Sequence, residues 1–111
     1  MKSDAEKSRL YGMIGLAEKA GKVSGGEFSA EKAIAGRKAR LCILAEDASE
    51  NTKKHFTDMC AYRHIAVTDC VAPKELLGHM IGKKDRAVIT IDDEGFSKTI
   101  LKLIEGGRAD G

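Results

Sequence analysis

Proline is nearly missing from this chain of 111 residues, tryptophan is missing altogether, and aromatic side chains make up only 5%. No apolar run is longer than Leu41 to Ala45, far short of the ~20 residues that a bilayer-spanning helix requires. The opening Met1-Lys2-Ser3-Asp4-Ala5-Glu6 is charged and has no apolar segment of signal-peptide length behind it. These absences predict a soluble protein, with no membrane partner, that stays in the compartment where it is made. The three cysteines, Cys42, Cys60 and Cys70, are odd in number and widely spaced, with no CxxC and no Cys/His pair at zinc-finger spacing. A disulfide framework or zinc site therefore finds no support, and a reducing cytoplasm is the simple reading. Cys42 and Cys60 fall in apolar periodic stretches, where a free thiol behaves as a small buried hydrophobe. Neither GxxxxGKS/T nor GxGxxG occurs, so neither nucleotide-cradling loop is present and no cofactor is expected.

What the chain does contain is 42% hydrophobic and 32% charged residues, far from disordered, collagen-like or fibrous compositions. Its length fits one domain, read as residues 1–105 followed by a loose tail over 106–111. A chain of this size hides roughly two-thirds of its unfolded surface and needs no covalent staple. The net charge of +2 is unevenly placed: residues 1–45 carry nine Lys and Arg against five Asp and Glu, and residues 46–111 carry ten against twelve. Lys32, Arg37, Lys38 and Arg40 cluster in the basic part. That asymmetry fits an anionic partner met by one edge of the molecule, or a solvated helix face.

Ser3-Asp4-Ala5-Glu6 reads as a capping box that opens a helix to about Ala20, with Leu10, Met13, Ile14 and Ala17 on its inner stripe. Lys22-Val23-Ser24 is a candidate short strand. Ser24-Gly25-Gly26-Glu27 offers a second capping box for a helix ending near Gly36. Ala39–Ala45 is a nearly continuous apolar run, as in a strand covered on both faces. Asp47-Ala48-Ser49-Glu50 caps a third helix, which carries Phe56, Met59 and Cys60 inward and Lys53, Lys54 and Asp58 outward. Ile65–Thr68 and Ala87–Ile91 read as strands, Pro73 as the first turn of another helix, and Phe96, Ile100, Leu101 and Ile104 as the inner stripe of the last. Helices alternating with buried strands predict an α/β fold, a three-layer α/β/α sandwich around a four-stranded mixed sheet.

Ser24 to Arg40 is the most suggestive segment for chemistry. A Gly-Gly pair at a helix start lets a ligand approach the backbone, and free N–H groups there favour anions. Lys32, Arg37, Lys38 and Arg40 extend the positive charge, an arrangement that suits a phosphate backbone. The same residues also read as a tight turn and a solubilised helix. Asp92-Asp93-Glu94 reads either as a Mg²⁺-holding phosphoacceptor cluster or as helix caps. His55, His64 and His79 are scattered and read as exposed helical residues, and no constellation resembles an active site.

Several blocks resemble the ribosomal L-seven-Ae/L-thirty-e family: Ile14-Gly-Leu-Ala-Glu-Lys-Ala-Gly-Lys22, Val23-Ser-Gly25, Lys32-Ala-Ile34, Lys38 through Ser49, Asn51-Thr-Lys-Lys54, Glu75-Leu-Leu-Gly78, Ile81-Gly-Lys83 and Ala87–Ile91. The likeness spans about residues 8 to 104 and is greatest to small bacterial members. It implies a noncatalytic module with no metal that binds structured RNA, kink-turns or related bent internal loops, in a ribosomal or other ribonucleoprotein setting, with no DNA partner. Carried onto matching positions, the RNA contacts fall on Gly25, Gly26, Phe28, Ser29 and Lys32, on Glu46 and Asp47, and on Lys83, Lys84 and Arg86, with Arg37 and Lys38 extending the basic surface. One departure stands out. Strong kink-turn binders of the family carry Asn-Glu where this chain has Phe28-Ser29, and phenylalanine offers no hydrogen bond to a base edge. Phe28 is left to pack on a base or sugar, to join the core, or to act as a hydrophobic staple. The alternative function is a protein-interaction module that keeps the fold with little or no RNA binding.

Overall fold

A computed structural model of the chain describes residues 3–106. The elements run α1 (Asp4–Lys19), β1 (Val23–Gly25), α2 (Glu27–Ala35), β2 (Leu41–Leu44), α3 (Glu50–Arg63), β3 (Ala66–Thr68), α4 (Lys74–Met80), β4 (Val88–Ile91) and α5 (Glu94–Gly106). Helix α1 starts as its sequence dictates: the Ser3 hydroxyl accepts from the Glu6 amide at 3.2 Å, and the Glu6 carboxylate accepts from the Ser3 amide at 2.8 Å. Gly106 belongs to α5; the rest of the tail expected over 106–111 lies outside the described residues.

The sheet order is β1-β4-β2-β3, with β2 and β3 parallel and β4 antiparallel to both β1 and β2. This is the expected four-stranded mixed sheet. Because side chains alternate across a strand, the apolar run of β2 divides between two cores. Leu41 and Ile43 join Leu10, Ile14, Leu77, Ile89, Ile91 and Ile100 beneath α1, α4 and α5. Cys42 and Leu44 join Ala30, Ile34, Phe56, Cys60 and Val88 beneath α2 and α3. All four residues of β2 and of β4 are buried, so both faces of the sheet are covered and the sandwich has three layers.

Two expected caps are corrected. Ser24 does not cap α2: it pairs in β1 with Thr90, and its hydroxyl donates to Asp92 Oδ2 at 2.6 Å. The sheet outcompetes the local box, and α2 begins on Gly26 without any side-chain cap. Likewise Asp47 does not cap α3. Ser49 does, accepting from the Thr52 amide at 3.1 Å.

Cys42 and Cys60 are fully buried, and Cys70 is exposed. The neighbouring Cys60 thiol, together with burial, pushes the Cys42 thiol well above its ordinary pKa. An aromatic disulfide reagent is therefore expected to titrate one thiol quickly in the native protein and all three in denaturant. Rapid labelling of Cys42 or Cys60 in the native state would contradict this packing.

Candidate nucleic-acid interface

The sheet topology sorts the connecting segments onto two ends. At one end, β1 runs into α2, β2 runs out toward Glu46, and β4 begins after Arg86. The bonds Gly26 N–H to Val88 O (2.9 Å) and Ala45 N–H to Ala87 O (2.8 Å) tie the three together. The glycine doublet, the Lys83–Arg86 loop and Glu46-Asp47, dispersed over some sixty residues of sequence, thus share one end of the sheet. Arg37 and Lys38 do not. Helix α2 rises about 1.5 Å per residue over its nine residues and carries them to the opposite end, where the Arg40 amide donates to Ile91 O at 2.8 Å. The single basic segment of the sequence is two separate surfaces.

Gly26 takes φ +95°, a value that other residues rarely adopt, and it turns β1 directly into α2. Its own amide is spent on Val88 O. Among the described residues, the amides of Glu27, Phe28 and Ser29 are the ones left open: the first intrahelical bond of α2 is donated by Ala30, to Gly26 O at 2.9 Å, and no side chain caps the turn. Three uncapped amides at the positive end of a helix dipole make an anion-receptive surface. Of the glycine pair expected to supply amides, Gly26 is thus already engaged, and three further open amides follow it.

Phe28 stands 76% exposed and is neither a core residue nor a staple. The Lys32 ammonium lies over its ring, 5.4 Å from the centroid. Helical side chains lean toward the N-terminus, so Lys32 brings its charge back over the first turn of α2. From the neighbouring loop, Arg86 runs alongside the doublet: a Cβ on Gly26 would touch its Cδ and Nε at 3.6 Å. Its guanidinium donates to Asp85 O at 3.0 Å and Lys84 O at 3.3 Å, which holds the loop in a tight curl. Lys83 and Lys84 are exposed beside it. Among the described residues, none of Lys32, Lys83, Lys84 and Arg86 is in an ion pair, so their charge faces solvent unneutralised.

Glu46 and Asp47 serve the architecture of this end. Asp47 Oδ1 accepts from the Lys74 amide at 2.8 Å and so caps α4, whose own N-cap, Pro73, supplies no side-chain bond. The Glu46 amide donates to Ala72 O at 2.9 Å. Its carboxylate acts, after burial, to raise the pKa of the Tyr11 phenol. Lys53, expected to face outward, turns in: its ammonium donates to Glu46 O at 2.9 Å and meets Asp69 at 3.6 Å. Nothing in the local periodicity marks Lys53 for that role, because its partners sit on other connections. Asp47→Ala is expected to cost about 1 kcal/mol through loss of the α4 cap, read as a lowered urea midpoint; Asp47→Asn should retain most of it.

The acidic run after β4 is built as caps and ties. Asp92 accepts from Ser24 Oγ and, at 2.8 Å, from Thr90 Oγ1. Asp93 Oδ2 accepts from the Phe96 amide at 2.9 Å at the start of α5. Both Asp92 oxygens and Asp93 Oδ2 are thus engaged in holding β1, β4 and α5 together.

Fold and site together define a class, an α/β/α sandwich that presents a cationic, amide-bearing end of its sheet to solvent. The chain belongs to the ribosomal protein L7Ae/L30e/S12e/Gadd45 family, which it matches over residues 8–101. It is 38% identical over 95 residues to the RNA-binding protein YlxQ of Bacillus subtilis (strain 168), covering 86% of this chain and 94% of that protein. The RNA-binding protein YlxQ of Enterococcus faecium is also 38% identical, over 104 residues that cover 94% and 99%. Among solved structures, a protein of unknown function from Bacillus halodurans superposes with a TM-score of 0.83 at 36% identity, covering 87% of this chain and 97% of that one. The Giardia lamblia 15.5kD RNA binding protein shares the fold, with a TM-score of 0.74 at 17% identity and coverage of 98% and 92%.

Proposed function

We propose that the protein is a noncatalytic RNA-binding protein that seats the bend of a folded RNA on the end of the sheet formed by the start of α2, the Lys83–Arg86 loop and the β2–α3 connection. The observation that carries this reading is the uncapped first turn of α2, with three open amides flanked by the unpaired cations Lys32 and Arg86. Phosphates meet the amides and the cations, and an unstacked base meets the exposed ring of Phe28. The relatives named RNA-binding proteins support the class of ligand. Phe28 and Ser29 replace the Asn-Glu pair of strong kink-turn binders, so stacking and phosphate contact take the place of base-edge readout. The protein then recognises the shape of a bend more than its base sequence, and ribosomal RNA is the proposed source of such bends. Because these contacts are preorganised on a rigid sheet end, they favour bent over extended RNA by differential affinity.

The test is binding to an internal-loop RNA and to a plain duplex of equal length across a salt series. Preference for the internal loop at every salt concentration is expected. Equal affinity for both would remove the preference for a bend, and no affinity for either would leave the fold serving a protein partner instead.

A further inference from the structure

At the opposite end of the sheet, on the α2/α3 side, the ends of α2 and α3 enclose an open recess of about 550 Å³ lined by Arg37, Ala39, Arg40, Tyr62, Arg63, His64 and Ile65. Three arginines line it, and none of them is in an ion pair among the described residues. Tyr62 stands 78% exposed, with the Arg63 guanidinium 5.3 Å from its ring centroid. Arg37 and His64 both hold left-handed backbone conformations, at φ +63° and +59°. Glycine adopts that conformation at far lower cost, so this chain keeps cationic or titratable side chains at two strained positions bordering the recess.

Dipole compensation accounts for only part of this charge. Each helix C-terminus carries about −0.5 of a charge, so α2 and α3 together offset roughly one of the three arginines and leave a surplus of about two. It also gives no reason for a solvent-facing aromatic ring. Guanidinium forks match the geometry of phosphate oxygens, and an exposed tyrosine is a platform for an unpaired base. A recess of this volume takes a nucleotide unit, not the cylinder of a duplex.

We propose that this recess is a second RNA site, which takes the backbone of a single-stranded segment on Arg37, Arg40 and Arg63 and stacks one base on Tyr62. It lies across the molecule from the α2 N-terminus, so the two sites together let one protein hold a bend and a flanking strand. Its occupation does not depend on the bent-RNA reading, and the two fail separately.

The experiment measures fluorescence anisotropy of a short labelled uridine oligonucleotide and of an internal-loop hairpin against three variants. Tyr62→Ala is expected to weaken oligonucleotide binding roughly tenfold; the ring is exposed, so the core is untouched. Arg37→Gln/Arg63→Gln should weaken it further and lower the salt slope by about 1.4, the value for two phosphate contacts on a single strand. Lys32→Glu/Arg86→Glu should leave the oligonucleotide unaffected while losing the hairpin. The proposal is overturned if the recess variants bind the oligonucleotide like the native protein, or if Lys32→Glu/Arg86→Glu abolishes oligonucleotide binding. It also fails if poly-glutamate occupies the recess and RNA does not displace it, an outcome that assigns the surface to an acidic protein. Matching thermal midpoints for all variants establish that the differences lie in binding.

Discussion

Gly78→Ala is expected to lower stability by about 3 kcal/mol and the thermal midpoint by roughly 12 °C or more. Gly78 is buried in the last turn of α4, and the chain doubles back across it. The Ile81 and Lys83 amides donate to its carbonyl at 3.1 and 2.9 Å. A Cβ at Gly78 would lie 1.8 Å from Lys84 O, 2.6 Å from Lys84 C and 3.2 Å from Arg86 N. These neighbours are backbone atoms, so no rotamer change relieves the clash and the Lys83–Arg86 loop has to move as a body. Because that loop sets Arg86 beside the glycine doublet, RNA affinity should fall even at temperatures where the variant is folded. Calorimetry and binding on the same sample check both halves; native-like stability would show that the loop does not sit over Gly78.

Lys32→Glu/Arg86→Glu is expected to weaken binding to an internal-loop RNA roughly hundredfold at physiological salt, at about 1.4 kcal/mol for each lost contact. The slope of log affinity against log salt should flatten by about 1.8, the value for two phosphate contacts in a duplex. The effect is large because both cations border the same three amides and, among the described residues, neither has a carboxylate partner to release. Stability should barely change, since Lys32 is exposed and Arg86 bonds only to carbonyls of its own loop through its side chain. An unaltered salt slope would remove both residues from the interface.

How much of this was legible in the sequence differs from element to element. The helices announced themselves by periodicity, and the Ser3 box formed as written. The buried strands β2 and β4 were visible as apolar runs, but a run buried on both faces has no polar phase, so the division of Leu41 and Cys42 between two cores could be read only from the folded sheet. Ser24-Gly25-Gly26-Glu27 has the same form as the real capping box at Ser3. Pairing of Ser24 with Thr90 decided against it, and that pairing spans more than sixty residues of chain.

The site was half legible for a similar reason. Gly26, Phe28 and Lys32 are close in sequence and remain close in space, whereas Arg37 and Lys38 are close in sequence and carried away by a helix. Tyr62, Arg63 and His64 join Arg37 and Arg40 only because α3 returns antiparallel to β2, which no local pattern encodes. Gly78 gave no sign beyond interrupting a short helix, since the need for it arises from a loop that follows.

RNA is proposed to meet the open amides at the start of α2. The most direct measurement is an amide-resolved NMR titration of the ¹⁵N-labelled protein with a bent internal-loop RNA. The largest shifts are expected at Glu27, Phe28 and Ser29, with Arg86 moving alongside them. Saturable binding that leaves those amides in place, while residues of α1 and α5 shift instead, would contradict it.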